Sequence, residues 1–238
     1  MIDLTAVEAS LASVGSAKRA SDMKAFMKSD LDFIGVSLPT IRKELREHTP
    51  RRQGIERASL LELSRESVES RFFEMRLFGV LMIERFTDLL GCEDLPHIEH
   101  MTRRTQAWAL VDPLARPTWT VVERCGDVLL ETVDRWSNDD NFWVRRLALL
   151  CLMPGLIKSD ELWDRWVGYA ESMILEKEFF IRKAIGWTLR EVSKVRPEPV
   201  SGFVERHVDV ISGVSFREAV KYLTEPVKSK LQAAYKAR

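Results

Sequence analysis

Trp108 and Asp112 are four residues apart, so on a helix an indole and a carboxylate lie on one face, a turn from each other. Arg146 and Trp187 add a guanidinium and a second indole further along the chain. A fixed carboxylate sheltered from water can stabilise positive charge developing on a sugar carbon and orient an attacking water, as acidic residues do at glycosidic centres generally. Indole faces attract cations by roughly 0.5–2 kcal/mol and pack on sugar rings. Arginine clamps a phosphate through two parallel hydrogen bonds. This set suits the departure of a purine from deoxyribose. Alkylation at N3 or N7 puts positive charge on the base and turns it into a neutral leaving group, so a general acid is not required.

The stretch Lys177–Lys194, KEFFIRKAIGWTLREVSK, places an aromatic pair, a row of cations and Trp187 on one helix, and reads as a surface that holds DNA. The cations read as DNA-binding are Arg146, Arg76, Arg145, Lys183, Arg182, Arg190, Arg103 and Arg104, with Lys194, Arg217 and Lys221 as further phosphate contacts. Lys plus Arg and Asp plus Glu number 36 each, so a formal net charge of zero gives no general pull toward nucleic acid and any DNA site is local. Charge is segregated along the chain. Arg217–Arg238 carries six basic residues against two acidic, whereas Asp160–Glu178 and Glu84–Glu99 lean acidic, as a one-sided basic groove requires.

The elements that position these residues are helices. Apolar residues recur at three- and four-residue spacing in almost every window, and sustained alternation with Asn-Gly or Asp-Gly turns is absent, so the fold class is all-α. Helix starts are predicted at Asp3, Leu38-Pro39, Asp94-Leu95-Pro96, Asp127, Ser159 and Ser215, and breaks at Gly15, Gly91, Pro154-Gly155 and Pro197–Pro199. That implies about a dozen helices joined by short loops.

Three segments share a phase: Phe72-Phe73-Glu74-Met75-Arg76, Phe142-Trp143-Val144-Arg145-Arg146 and Phe179-Phe180-Ile181-Arg182-Lys183. The second and third are 37 residues apart and the first and second 70, about two such periods. Helix pairs of this period stack as HEAT-like repeats into a curved α-solenoid, a single domain over 1–238 with a concave DNA-binding groove. In that register Arg76, Arg146 and Lys183 are equivalent and form a basic track, and Trp108, Asp112, Arg146 and Trp187 face the same groove. Phe72, Phe142 and Phe179 read as core, as do Trp119, Trp136, Trp143, Trp163 and Trp166.

Other function classes find no support. No phosphate-binding glycine loop, zinc pattern or Ser-His-Asp set occurs, and His97 and His100 lack a third ligand and read as surface histidines, so no metal and no cofactor is expected. Cys92, Cys125 and Cys151 are odd in number, far apart and without a CxxC pair, which reads as a reducing cytoplasm. No apolar run approaches ~18 residues, and charges interrupt the N-terminus, so neither a membrane span nor a secretory signal is expected.

The chain resembles the AlkD-like family of DNA alkylation repair glycosylases over about Met23 to Tyr222. The signature helix carries Phe179-Phe180, Lys183, Ala184, Ile185, Gly186, Trp187, Leu189, Arg190 and Glu191 in the family's places. Phe33-Ile34-Gly35-Val36 followed by Pro39, Ile41 and Arg42 is similar to its early FxGV motif, Trp108–Asp112 to its WxxxD stretch, and Asp140–Arg146 to its DNxWxxR stretch. The resemblance implies a DNA glycosylase that excises N3- or N7-alkylated purines from double-stranded DNA without fully flipping the base, as a cytoplasmic monomer. It assigns Asp112 as the catalytic carboxylate, Trp108 and Trp187 as aromatic walls, and Arg146 as a DNA-backbone contact. Ala107 and Ala109 depart from a second Trp and a second Asp often found in that stretch. The alternatives are a catalytically silent paralogue that binds branched or damaged DNA, and a HEAT-like protein-interaction scaffold.

Overall fold

The computed structural model describes residues 2–49 and 54–238. Among them the chain is all-α, of the HEAT-like repeat class, and the one β-type pairing is an isolated bridge between Asp32 and Phe72. The helices are α1 Leu4–Ser13, α2 Ala17–Met27, α3 Leu38–His48, α4 Arg57–Glu69, α5 Phe73–Arg85, α6 Leu95–Arg104, α7 Trp108–Val111, α8 Ala115–Cys125, α9 Asp127–Ser137, α10 Phe142–Cys151, α11 Met153–Leu156, α12 Asp160–Met173, α13 Phe179–Ser193, α14 Pro197–Arg206, α15 Gly213–Ala219 and α16 Val227–Ala237. Several starts follow local chemistry. Asp3 caps α1 by accepting from the Thr5 and Ala6 amides, Ser159 caps α12, and prolines occupy the first turns of α3 and α6. Three expected boundaries are corrected. The break expected at Pro154-Gly155 falls inside the single turn α11, with Pro154 in its first turn. The Pro197–Pro199 stretch opens α14 instead of breaking the chain, because proline's missing N–H costs nothing in a first turn. The start expected at Ser215 lies at Gly213, capped by Ser212.

The chain divides into two compact units, Met1–Leu130 and Glu131–Arg238. The first is built round α5, in which every residue from Phe73 to Ile83 is buried, and which packs against α3, α4, α7 and α8. A helix apolar nearly all round has to be central. The second unit is built round α10 and α13, with α14 and α15 packed on α13. Its buried tryptophans include Trp136, Trp143, Trp163 and Trp166, and the Trp166 indole donates to the Leu149 carbonyl at 3.0 Å. Trp119, read as core, is only half-buried.

The repeat register also needs correction. Arg76 donates to the Ser70 carbonyl at 2.6 Å, Arg145 to Asp139 at 2.5 Å and Arg182 to Glu176 at 2.7 Å, in each case six residues back. Each is the fourth residue of its helix, α5, α10 or α13, reaching back over the turn that precedes it. Arg76 is therefore equivalent to Arg145 and Arg182, one position from the register read off the aromatic pairs. The pairs mislead because their first members lie at the helix start, where the side chain escapes the core: Phe72 and Phe142 are half-buried and Phe179 is 54% exposed.

Cys92 and Cys125 form a disulfide with a Cα–Cα distance of 5.8 Å, tying the turn before α6 to the end of α8. Their separation of 33 residues leaves no local motif, which is why spacing pointed to reduced thiols. Cys151 is a buried free thiol, and burial pushes it well above the usual range. Among the described residues no helix is long and apolar enough to cross a membrane.

Candidate nucleic-acid interface

Trp108 opens α7, a single turn whose end is marked by the Asp112 amide donating to the Trp108 carbonyl. The two side chains are thus one turn apart, and both are half-buried. Leu110, Val111 and Leu114 are fully buried beneath them, and α5 packs against α7 and the turn Asp112–Leu114. Pro113 follows Asp112 and stiffens that turn. The indole and the carboxylate are therefore set by a buried anchor on the other side of the same short segment. Ala107 is buried in extended backbone, so its methyl faces protein.

Phe26 meets the Trp108 ring edge to face, with centroids 6.1 Å apart and an interplanar angle of 75°, and is 70% exposed. Sequence reasoning passed over Phe26. The available signal was the Met23, Phe26, Met27 stripe on α2, a helix with no buried residue.

Arg76 is 6% exposed, and one Nη donates to the Arg104 carbonyl at the end of α6. It thereby fixes the segment that leads from α6 to Trp108. At the surface of that helix end Arg103 pairs with Glu99 at 2.7 Å and Arg104 with Glu69 at 2.5 Å.

The early FxGV motif has a structural cause. Glu74 is fully buried, and its carboxylate accepts from the Ile34, Gly35 and Val36 amides at 2.9, 2.8 and 3.2 Å. Gly35 has φ of 83°, and a Cβ there would stand 2.1 Å from the Ser16 carbonyl oxygen. Three amides converging on one carboxylate compensate for burying its charge.

In the second unit α13 carries Lys183, Trp187 and Arg190 along one face. Lys183 and Arg190 share the Glu218 carboxylate, Arg190 at 2.5 Å, and Arg190 also reaches Glu191 at 3.1 Å. Burial raises the Glu218 pKa, but the hydrogen bonds from Lys183 and Arg190 outweigh it and hold the carboxyl below the usual carboxylate range. Trp187 is half-buried between these cations in sequence. Gly186, behind it, lets α15 approach: a Cβ there would lie 2.8 Å from the Ser215 Cα.

Arg146 is 2% exposed and donates to the Phe180 carbonyl at 2.6 Å. Arg145 pairs with Glu176 at 2.9 Å as well as with the turn before α10. Phe142, Trp143, Phe180 and Phe179 form a run of ring contacts across the starts of α10 and α13, the Trp143–Phe180 centroids being 4.9 Å apart.

His97, read as a surface histidine, is instead 6% exposed and shares a 2.8 Å hydrogen bond with Ser64. Burial, then the neighbouring Arg65 charge, pushes its pKa down to about 4. Among the described residues no group of three His, Cys, Asp or Glu is placed to hold a metal ion.

Among the described residues the fold is all-α and of the repeat class, and comparison with known proteins specifies the family. The model of the DNA alkylation repair enzyme family matches residues 7–223, and the chain belongs to that AlkD-like family. Among solved structures it is similar to a predicted DNA alkylation repair enzyme from Enterococcus faecalis, with 22% identity, a TM-score of 0.78 and coverage of 89% of this chain and 97% of that one. It is also similar to smu.31 from Streptococcus mutans UA159, with 17% identity, a TM-score of 0.60 and coverage of 78% and 94%. AlkD2 from Streptococcus mutans shows 14% identity, a TM-score of 0.55 and coverage of 84% and 89%. At these identities the likeness is one of fold. The curated proteins contain no match.

Proposed function

We propose that the protein hydrolyses the N-glycosidic bond of cationic N3- or N7-alkylated purines in duplex DNA, as a monomer, without a cofactor and without drawing the base fully out of the helix. The observation that carries this reading is the Trp108–Asp112 turn, a half-buried carboxylate one helical turn from a half-buried indole on a buried anchor. As the positively charged base departs, the Asp112 carboxylate stabilises the cationic sugar and orients water toward it. Trp108 packs on the deoxyribose. In this reading Trp187, half-buried on α13, offers an aromatic surface to the DNA.

The cations divide by what already holds them. Arg103, Arg104, Lys183 and Arg190 keep their charged groups at the surface, with side chains 38, 49, 40 and 23% exposed, and in our reading meet phosphates. Arg145 and Arg182 reach phosphate only with what their turns leave over. Arg76 and Arg146 act chiefly as positioning residues, since both are buried on carbonyl oxygens.

The test is a duplex with a single 7-methylguanine, incubated with the protein or with Asp112→Asn, with free base measured against spontaneous depurination. Release by the unaltered protein, falling to the spontaneous rate in the variant at unchanged DNA affinity and melting temperature, is the expected outcome. Equal release by the variant removes Asp112 from the mechanism. No release by a folded protein that still binds DNA overturns the enzymatic reading and leaves a binding paralogue.

A further inference from the structure

We infer that the ends of α13 and α15 form a further DNA contact, a lysine-flanked tyrosine that grips the phosphodiester backbone. The inference rests on the DNA reading proposed above and adds Tyr222 and its arrangement with Lys194 and Lys221. Tyr222, in the turn after α15, is 47% exposed. Lys194, just beyond α13, places Nζ 5.0 Å from the centre of its ring, and Lys221 places Nζ 5.6 Å from it. Both lysines are exposed, as is the neighbouring Arg217. An ammonium near an aromatic ring gains attraction from the ring yet keeps donors turned to solvent.

Charge makes the patch selective for an anion. Of the acidic residues beside it, Glu218 is taken up by Lys183 and Arg190, and Glu191 is shared between Arg190 and Lys194, the latter at 2.5 Å. Hydrogen bonds from Lys194 and Arg190 hold Glu191 below the usual carboxylate range, against the upward push of burial. Lys221 and Arg217 then stand in excess over these carboxylates, so the neighbourhood is positive. Two ammonium groups beside an exposed ring suit a strand in which phosphates alternate with flat, weakly polar sugars. The lysines meet successive phosphates and the tyrosine lies against the sugar between them. The contact carries no sequence information, as a search through undamaged DNA requires.

The patch makes a distinct quantitative prediction. Each phosphate neutralised adds about 0.9 to the slope of log affinity against log salt on duplex DNA. Binding of the full chain to an undamaged duplex is measured by fluorescence anisotropy over a salt series. Removing both ammonium groups in Lys194→Gln/Lys221→Gln should lower the slope by about 1.8 and weaken binding roughly tenfold or more at low salt. Tyr222→Ala should weaken binding several-fold with little change in slope, and Tyr222→Phe should bind as the unaltered protein does. Lys194→Glu/Lys221→Glu should lose more than the Gln pair, and circular dichroism checks that each variant is folded. Folded variants with the slope and affinity of the unaltered protein overturn the patch while leaving the DNA reading intact. An unaltered protein that binds no duplex at any salt overturns the DNA reading and the patch with it.

Discussion

The buried Glu74 carboxylate accepts a 2.8 Å hydrogen bond from the amide of Gly35, a residue that reaches this position only through a positive φ. Glycine and glutamate are therefore one device: the glycine permits a turn whose amides converge, and the carboxylate gathers them. Removing the charge leaves those amides short of an acceptor in the interior. Glu74→Gln should cost about 2–4 kcal/mol. Gly35→Ala should cost a similar amount through backbone strain and collision with the Ser16 carbonyl. Urea denaturation reads both, and a loss below about 0.5 kcal/mol for either would contradict this account.

The Cys92–Cys125 bond closes a loop of 33 residues, which in the chain-entropy model contributes about 3–4 kcal/mol. Cys92 is exposed, so a reductant reaches it. Urea midpoints with and without dithiothreitol should differ accordingly, and Cys92→Ser should be insensitive to the reductant. Thiol titration of the denatured, unreduced chain should find one thiol, against three after reduction. Three thiols before reduction would refute the bond.

His97 makes stability depend on acid. Its folded pKa of about 4 lies below the unfolded value near 6.5, so in this interval the unfolded chain binds the extra proton. Stability is fully present above pH 6.5, falls as pH drops through the interval and is lost by about pH 4, by up to about 3 kcal/mol. His97→Gln should flatten that part of the profile. A profile as steep in the variant would assign the acid sensitivity to other groups.

At Gly186 the backbone of α15 occupies the space where a side chain would begin. Gly186→Ala should destabilise by about 1–3 kcal/mol through overpacking, and Gly186→Val by more. The melting temperature checks the order. An alanine variant as stable as the parent would mean that α15 moves aside freely.

Much of this architecture was legible because its causes are local. Asp3, Pro39, Pro96 and Ser159 announce helix starts by chemistry confined to one turn. The repeat register was not legible. It resides in hydrogen bonds from Arg76, Arg145 and Arg182 to carbonyls six residues back, which no pattern of apolar residues records. His97 likewise read as a surface residue until its partner Ser64, distant in sequence, came into view, and nothing in the sequence marked Glu74 as the acceptor for three distant amides. Of the candidate site, the Trp108–Asp112 relation could be read from spacing alone. The Met23, Phe26, Met27 stripe marked Phe26 as an apolar residue on a surface helix, but its partner Trp108 lies too far along the chain for that pairing to be read.

Glu218 takes up Lys183 and Arg190 together. Long basic side chains normally surrender about 0.5–1.5 kcal/mol each in rotamer freedom when a ligand immobilises them. Here one carboxylate on α15 has already drawn both into a single arrangement. An anion settling on this face finds its donors ordered beforehand, but must share them with a resident carboxylate. In the DNA reading proposed above, that competition limits what this face alone adds to affinity.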